Sequence, residues 1–340
     1  MLHPADPRLA IDLATPHHLL LGSDTHGVTR YAGEVAAAAG APVVRDVRDV
    51  EPGAAVHVHL TDRLFGREPA AAAEAVEQLA RRARLTVTLH DVPQPTDGPG
   101  FPGRAAAYGR IVRASRAWAT NSWHEHALVD RWSAPGARGT VIPLPVEGPA
   151  VVEVPRPRAA EGVATRPVVG VFGFVYPGKG HRQVVRAVAA LRRAGIMASV
   201  RVLGDAAPGH VDELESLVRS GRERGVPVEV SGRVPDDDLV RALRSVTVGV
   251  TAHRNVSASG SLNSWIAAGR RPLVRDGAYA REMAALRPGT LSLFDDATLV
   301  PRLDAALRRP ASTWTAPGAG LGPGLDETVT AYRAWWASVR

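Results

Sequence analysis

Only one of the 41 basic residues in this 340-residue chain is a lysine. It is Lys179, set between Gly178 and Gly180 after the apolar run Val168-Val-Gly-Val-Phe172 and the loop residues Gly173-Phe-Val-Tyr-Pro177. A strand that runs into such a loop lets glycine backbone approach a ligand closely. A helix beginning near Gly180 would add free N–H groups and the positive end of its dipole. An ammonium there is a compact point charge on a flexible stem, which suits phosphate oxygens differently from the planar fork of arginine. Phosphate binding is the chemistry this arrangement suggests. Chance is the competing explanation, since a glycine-rich chain places glycines on both sides of a residue at roughly one position in a hundred.

A second candidate follows the β-rich run Val246 to Thr251, where the chain reads Ala252-His-Arg-Asn-Val-Ser-Ala-Ser-Gly-Ser-Leu262. Ser257, Ala258, Ser259, Gly260 and Ser261 form a turn that is expected to open a helix at Leu262, with Ser261 as the N-cap. Such a turn leaves backbone N–H groups for oxyanions, and Arg254 adds a guanidinium. Alone it would be an ordinary strand-to-helix turn; beside Lys179 it becomes a second ligand loop. His57 and His59 alternate on one predicted strand and His90-Asp91 ends another, so a metallohydrolase is a possible reading. No further histidine or carboxylate cluster supports it in the second half, and no metal site is expected. His124 and His126 are two residues apart on a predicted helix, point to different faces and read as surface. Asp236 to Asp238 read as helix-start charge.

Loops of this kind need strands that stop at one edge of a sheet. Short β-rich runs alternate with Ala/Leu/Arg segments of helical period, the pattern of βα units and parallel sheets. Strands are predicted over 18–21, 42–44, 55–60, 85–89, 117–119 and 140–142, then over 168–172, 198–203, 228–231, 246–251, 272–274 and 291–294. Helices are predicted over 28–39, 69–83, 103–113 and 122–131, then over 181–193, 211–222, 236–244, 262–268, 280–286 and 298–308. The expected fold class is α/β with two Rossmann-like domains, residues 1–150 and 167–309, joined by an aperiodic Pro-rich linker over 151–166. A Pro/Gly-rich connection opens the segment 310–340, which ends in an amphipathic helix. Its Tyr332, Trp335 and Trp336 must pack on something, and the helix is expected to cross back to the first domain. Ligands of such folds sit outside the carboxyl ends of the strands.

Composition removes several function classes. The chain has no cysteine, which excludes disulfides, thiolate zinc sites and cysteine nucleophiles. No apolar stretch of about 18 residues exists, and the start lacks a basic region followed by an apolar one. A cytoplasmic protein is expected, at most peripheral at the inner membrane face. A net charge of +7 and a pI near 10.5 suit nucleic acid, an anionic membrane or a phosphorylated small molecule. The arginines are dispersed, without interleaved aromatics or zinc-finger spacing, so solvated helix faces account for most of them and nucleic acid is not expected. Charge written almost wholly as arginine is the habit of a GC-rich, bacterial genome.

Six segments of the second half, in register, resemble the donor domain of glycosyltransferase family 4, retaining enzymes of the two-domain GT-B architecture. They are Val-Gly-Val-Phe-Gly173 with Gly178-Lys179-Gly180, Val202-Leu-Gly204-Asp205, Val230-Ser-Gly-Arg233-Val234-Pro235, Gly249-Val-Thr-Ala-His253, Gly260, and Ala268-Gly-Arg-Arg-Pro-Leu-Val274. The resemblance implies that the loop of Gly173 and Lys179 holds the donor diphosphate, with Gly204 close by. It implies that Arg233 and Val234 touch the base, and that the turn from Ser257 through Ser259, Gly260 and Ser261 to Leu262 holds sugar and phosphate. The first half is similar more loosely. Gly22 to Val28 resembles the family's glycine loop, with Gly27 opening the helix that faces the diphosphate. His90 matches a histidine that contacts the donor sugar, and Ile142-Pro-Leu-Pro-Val146 resembles the exit from the acceptor domain.

The implied function is metal-independent transfer, with retention, of a sugar from a nucleotide-diphosphate donor to a small-molecule, glycan or lipid-linked acceptor bound by the first domain. No cofactor is implied; Lys179 would stabilise the leaving diphosphate and His90 would position the sugar. The chain also departs from the family pattern. Two glutamates eight residues apart fall here on Ser257 and Trp265, and an arginine five residues before the lysine falls on Phe174. These departures motivate a rival on the same fold, a nucleotide-sugar-binding protein without transfer; a third reading is a nucleotide-sugar epimerase or phosphorylase that makes product without any acceptor.

Overall fold

The computed structural model describes residues 15–146, 166–256 and 258–339. The expected linker over 151–166 lies outside them except for Arg166, and Ser257 lies outside them as well. Contacts divide the chain into Met1–Leu144 with Leu325–Arg340, and Pro145–Gly324.

The first unit runs β1 (His17–Leu19), α1 (Gly27–Ala39), β2 (Val43–Val44), β3 (Ala55–Leu60), α2 (Asp62–Phe65), α3 (Pro69–Arg82), β4 (Arg84–Leu89), α4 (Phe101–Ala114), β5 (Ala117–Thr120), α5 (Trp123–Leu128) and β6 (Thr140–Val141). Its six strands form a parallel sheet in the order β2-β1-β3-β4-β5-β6. The period of two along β3 and β4 explains how that sheet is covered. Val56, Val58, Leu60, Leu85, Val87 and Leu89 share a hydrophobic core with Val76 and Leu79 of α3 and with Tyr108 and Ile111 of α4. The alternate residues, His57, His59, Thr86 and Thr88, are also buried. Three of these side chains pair with one another: His57 Nδ1 lies 2.9 Å from Thr86 Oγ1, and His57 Nε2 lies 3.2 Å from Thr88 Oγ1.

The second unit runs β7 (Val168–Phe172), α6 (His181–Arg193), β8 (Ser199–Leu203), α7 (Val211–Glu223), β9 (Val228–Val230), α8 (Asp236–Arg244), β10 (Val248–Thr251), α9 (Gly260–Ala267), β11 (Leu273–Arg275), α10 (Ala278–Leu286), β12 (Ser292–Phe294) and α11 (Leu299–Arg308). Its parallel sheet has the order β12-β11-β10-β7-β8-β9. The core of this unit joins Val169 and Val171 of β7 to Val184, Val188 and Leu191 of α6 and Leu303 of α11. The Pro/Gly-rich segment after α11 is tied to the same unit. Thr313 Oγ1 donates to the Thr247 carbonyl (2.9 Å), and the Val146 N–H donates to the Pro323 carbonyl (2.9 Å).

The last helix, α12 (Leu325–Ser338), packs with the first unit, as its three aromatics predict. Tyr332, Trp335 and Trp336 join Tyr31, Val35 and Ala119 in one cluster, and the Tyr332 hydroxyl lies 3.1 Å from Thr88 Oγ1. Trp336 stacks on Tyr332 and meets His18 edge-on, with centroids 5.3 and 5.2 Å apart. The helix therefore covers the polar face of β3 and β4 with amphipathic rings.

Three details depart from the sequence expectations. The helix predicted over 122–131 stops as α-helix at Leu128 and continues as a π-turn over Val129–Ser133. His126 is half-buried and stacked on Trp118 (5.0 Å) rather than being a surface residue. Arg270 and Arg287 are fully buried rather than solvated. The Arg270 guanidinium donates to the Thr247 carbonyl (2.7 Å) and Thr313 Oγ1 (3.0 Å) and lies 4.0 Å from the Trp314 ring centroid. Arg287 Nε donates to the Leu321 carbonyl (2.8 Å), so both arginines hold the Pro/Gly-rich segment in place. Among the described residues no helix is long and apolar enough to cross a membrane.

Candidate functional site

In the second sheet β8 and β9 continue on one side of β7 while β10, β11 and β12 lie on the other. The carboxyl ends of β7 and β10 thus border the point where strand order reverses, where open α/β sheets place ligands. Lys179 lies in the loop after β7, and residues 252–256, 258 and 259 lie between β10 and α9.

Backbone contact locks the two loops together. Gly180 has φ +91°, and a Cβ there would lie 2.2 Å from the Ala252 carbonyl oxygen. No other residue type fits. The Arg254 N–H donates to the Gly178 carbonyl (3.1 Å). Behind the first loop, a Cβ on Gly204 would lie 2.3 Å from the Gly173 carbonyl oxygen, so the exits of β7 and β8 are also in backbone contact. Lys179 folds back between the loops. Its Nζ donates to Ser261 Oγ (3.4 Å), lies 3.1 Å from where a Cβ on Gly173 would be, and sits 5.8 Å from the Tyr176 ring centroid. The side chain is only 7% exposed, and burial pushes its pKa down to about 7.

Ser259, rather than Ser261, is the N-cap, and α9 starts at Gly260, two residues before the expected start at Leu262. The extended backbone of Ser259 brings its Oγ to the Leu262 N–H (3.1 Å), while Ser261, already inside the helix, turns its hydroxyl to Lys179. The Ser259 N–H donates to the Tyr279 hydroxyl (3.1 Å) and is already engaged. Leu262 is fully buried in a cluster with Ile266 and Tyr279, so its side chain belongs to the core.

The structure thus gathers Gly173, Lys179, Ser259, Gly260 and Ser261, with Arg254 joined through its backbone and Gly204 packed behind Gly173. It does not bring Arg233 or Val234 into that group. Arg233 is exposed, and Val234 packs with Leu203, Leu243 and Trp265, although the loop is linked to Gly204 by its N–H donating to Ser231 Oγ (3.2 Å). Phe174 is exposed at 56% and offers no charge. Trp265 is fully buried against Gly249, where a Cβ would lie 2.8 Å from the indole. It fills space rather than facing a ligand. Trp265→Ala is expected to lower stability by about 3–5 kcal/mol in urea unfolding, as for large core aromatics.

Two residues escaped the sequence reading. His181 opens α6 directly after Gly180, and His253 directly precedes Arg254; both are buried and neither ring has a hydrogen-bond partner. Burial first, and then the nearby Lys179 charge, hold His181 at about 3 and His253 well below the usual imidazole range. The signal was their adjacency to the loop residues already singled out.

In the first unit Gly27 starts α1 with open space around it, and His26 caps the helix without a side-chain hydrogen bond. His90 is buried, its Nε2 lies 3.0 Å from His59 Nδ1, and the Tyr108 hydroxyl donates to its carbonyl (2.7 Å). Burial first, and then the nearby His26 charge, push its pKa down to about 3, which leaves a neutral ring. His18, His57 and His59 lie in the same aromatic cluster. Among the described residues no set of three or more His, Asp or Glu side chains is disposed to hold a metal ion.

No protein-family model matches the chain, and no curated protein matches it in sequence. Solved structures do match in fold. The Anabaena protein Alr3699/HepE, crystallised with UDP and glucose, superimposes with a TM-score of 0.67 at 14% identity, over 95% of this chain and 96% of its own. The fold is GT-B. An α,α-trehalose-phosphate synthase (UDP-forming) from Burkholderia vietnamiensis matches with a TM-score of 0.60 at 17% identity, over 92% of this chain and 79% of its own. Sucrose-phosphate synthase from Thermosynechococcus elongatus matches with 0.59 at 17% identity, over 84% and 70%.

Proposed function

We propose that this protein is a glycosyltransferase that uses a nucleotide-diphosphate sugar, of the family 4 kind, metal-independent and retaining. The single observation that carries the reading is Lys179, held at the start of α6 against Ser261 of α9, at the strand-order reversal of a GT-B second unit. Structural relatives that were crystallised with UDP-glucose, or whose reaction forms UDP, support the donor class.

As the glycosidic bond breaks, negative charge grows on the departing phosphate oxygen. The Lys179 ammonium and the first N–H groups of α9, at Gly260 and Ser261, would stabilise it without rearrangement. Gly173 and Gly204 let the donor approach backbone, and Arg254 adds charge at the rim. Retention follows if the leaving phosphate takes the acceptor proton on the face of attack. Under this reading the family resemblance assigns His90, a neutral ring, to the sugar and Gly27 to the diphosphate; the acceptor belongs to the first unit, and the protein works in the cytoplasm.

The second reading, nucleotide-sugar binding without transfer, is favoured by one observation: the second position at which family 4 commonly has a glutamate holds the buried Trp265. Binding without product across a broad acceptor panel would select it, and a changed sugar from donor alone would select an epimerase. The decisive measurement is a thermal-shift panel of UDP, GDP, ADP, dTDP and their sugars. The true donor at a hundredfold excess over its Kd should add about 2.7 kcal/mol. Stabilisation by none of them would overturn the assignment.

A further inference from the structure

Among the described residues no carboxylate pairs with Lys179. Its Nζ meets the Ser261 hydroxyl and the Tyr176 ring, and the buried His181 and His253, one in each of the two adjoining segments, have four ring nitrogens without partners. The nearest charges on the surrounding elements are already committed. Glu213 of α7, with His210 beside it, is paired with both arms of Arg182 (2.8 and 2.9 Å). Asp205 after β8 is exposed and accepts the Ala206 N–H (2.7 Å). Arg254 is exposed near Asp296, and Arg275 holds that carboxylate through two bonds, one of them 2.8 Å.

A cation in this place is penalised by lost hydration and by the positive end of α6, and only a long hydrogen bond to Ser261 and the Tyr176 ring stand against that cost. Phe174, in the loop before it, brings no charge. The two imidazoles are equally unpaired, so the pocket has polar capacity that the protein itself leaves unused. An arriving dianion offsets this cost by pairing with the cation and accepting N–H hydrogen bonds.

We propose that Lys179 is a proton-coupled oxyanion site: its Nζ, buried against Ser261 with no carboxylate partner among the described residues, takes up one proton from solvent when a nucleotide-sugar diphosphate binds. The proposal rests on the diphosphate reading above and adds its regulation: donor affinity falls as pH rises. The depressed pKa of the lysine, about 7, agrees with it.

The test is isothermal titration calorimetry of the full chain with UDP-glucose, GDP-mannose, ADP-glucose and dTDP-glucose. Their diester diphosphates have no ionisation of their own near neutrality, so any proton counted belongs to the protein. At about pH 8, titrations in HEPES and in Tris should report uptake of about one proton per bound ligand, and Kd should weaken by up to about tenfold per pH unit above about pH 7. Lys179→Arg carries a fixed charge, so its binding should show neither uptake nor pH dependence. Flat affinity with no uptake in the wild type overturns the proposal while leaving the nucleotide-sugar reading intact. Full uptake in Lys179→Arg overturns it too, since the proton then lands elsewhere. Absence of binding by all four ligands at about pH 6.5 removes the nucleotide-sugar reading and the proposal together.

Discussion

Lys179→Ala should lower turnover by about one to three decades, the loss expected when a group that stabilises developing charge is removed. The side chain is well placed for a large effect. It is the one lysine of the sequence, buried at 7% exposure and 3.4 Å from the Ser261 hydroxyl. The exposed Phe174 offers no second charge to take over. Lys179→Arg should also impair turnover, because a planar fork needs more room than a point charge held against Ser261. The change in kcat should exceed that in KM, since the charge matters most as the bond breaks. Steady-state kinetics with the donor identified by thermal shift provide the measurement. Unchanged turnover in the alanine variant would sink the assignment of this loop to catalysis.

Mild acid should destabilise the first unit strongly. His18 is held at about 4 and His90 at about 3, both chiefly by burial, and His57 and His59 are pushed well below the ordinary value of 6.5. The sign follows from the neutral ring. The unfolded chain binds protons below pH 6.5 and the folded chain does not, so stability falls from 6.5 down to about 4 for His18 and about 3 for His90. At about pH 5 each of these two rings costs about 2 kcal/mol, and the other two act in the same direction. That is a large part of the 5–15 kcal/mol of a typical domain, roughly. His181 and His253 add a like trend in the second unit, so amide exchange in α12 is the proper readout for the first. Protection of Tyr332 to Trp336 that does not change between about pH 7.5 and pH 5 would refute the prediction.

Much of this architecture is legible in the sequence because β and helical periods alternate without long interruption. β3, β7, α6 and α8 occupy the residues their patterns assign, and the aromatic face of the last helix is enough to require a partner surface. The start of α9 is harder to read, since Ser259 and Ser261 are both capping types and only the extended backbone of Ser259 decides between them. The π-turn after α5 has no sequence period of its own. His57 and His59 could equally have lined a metal site. What makes them structural is the cover of Tyr332, Trp335 and Trp336, brought from the far end of the chain. Nothing in the sequence neighbourhood of Arg270 announces Thr313 and Trp314 as its partners. In the site itself, the glycines around Lys179 are visible, whereas the unpaired state of His181 and His253 is a property of packing alone.

The position of α12 also orders events during synthesis. The first sheet has all its strands once Val141 is made, yet its histidine face waits for Tyr332 and Trp336. The whole of the second unit must leave the ribosome in between. Domains generally fold as they emerge. Here the unit that begins first is the last to finish, and a chain released before α12 carries one completed unit beside an uncovered sheet.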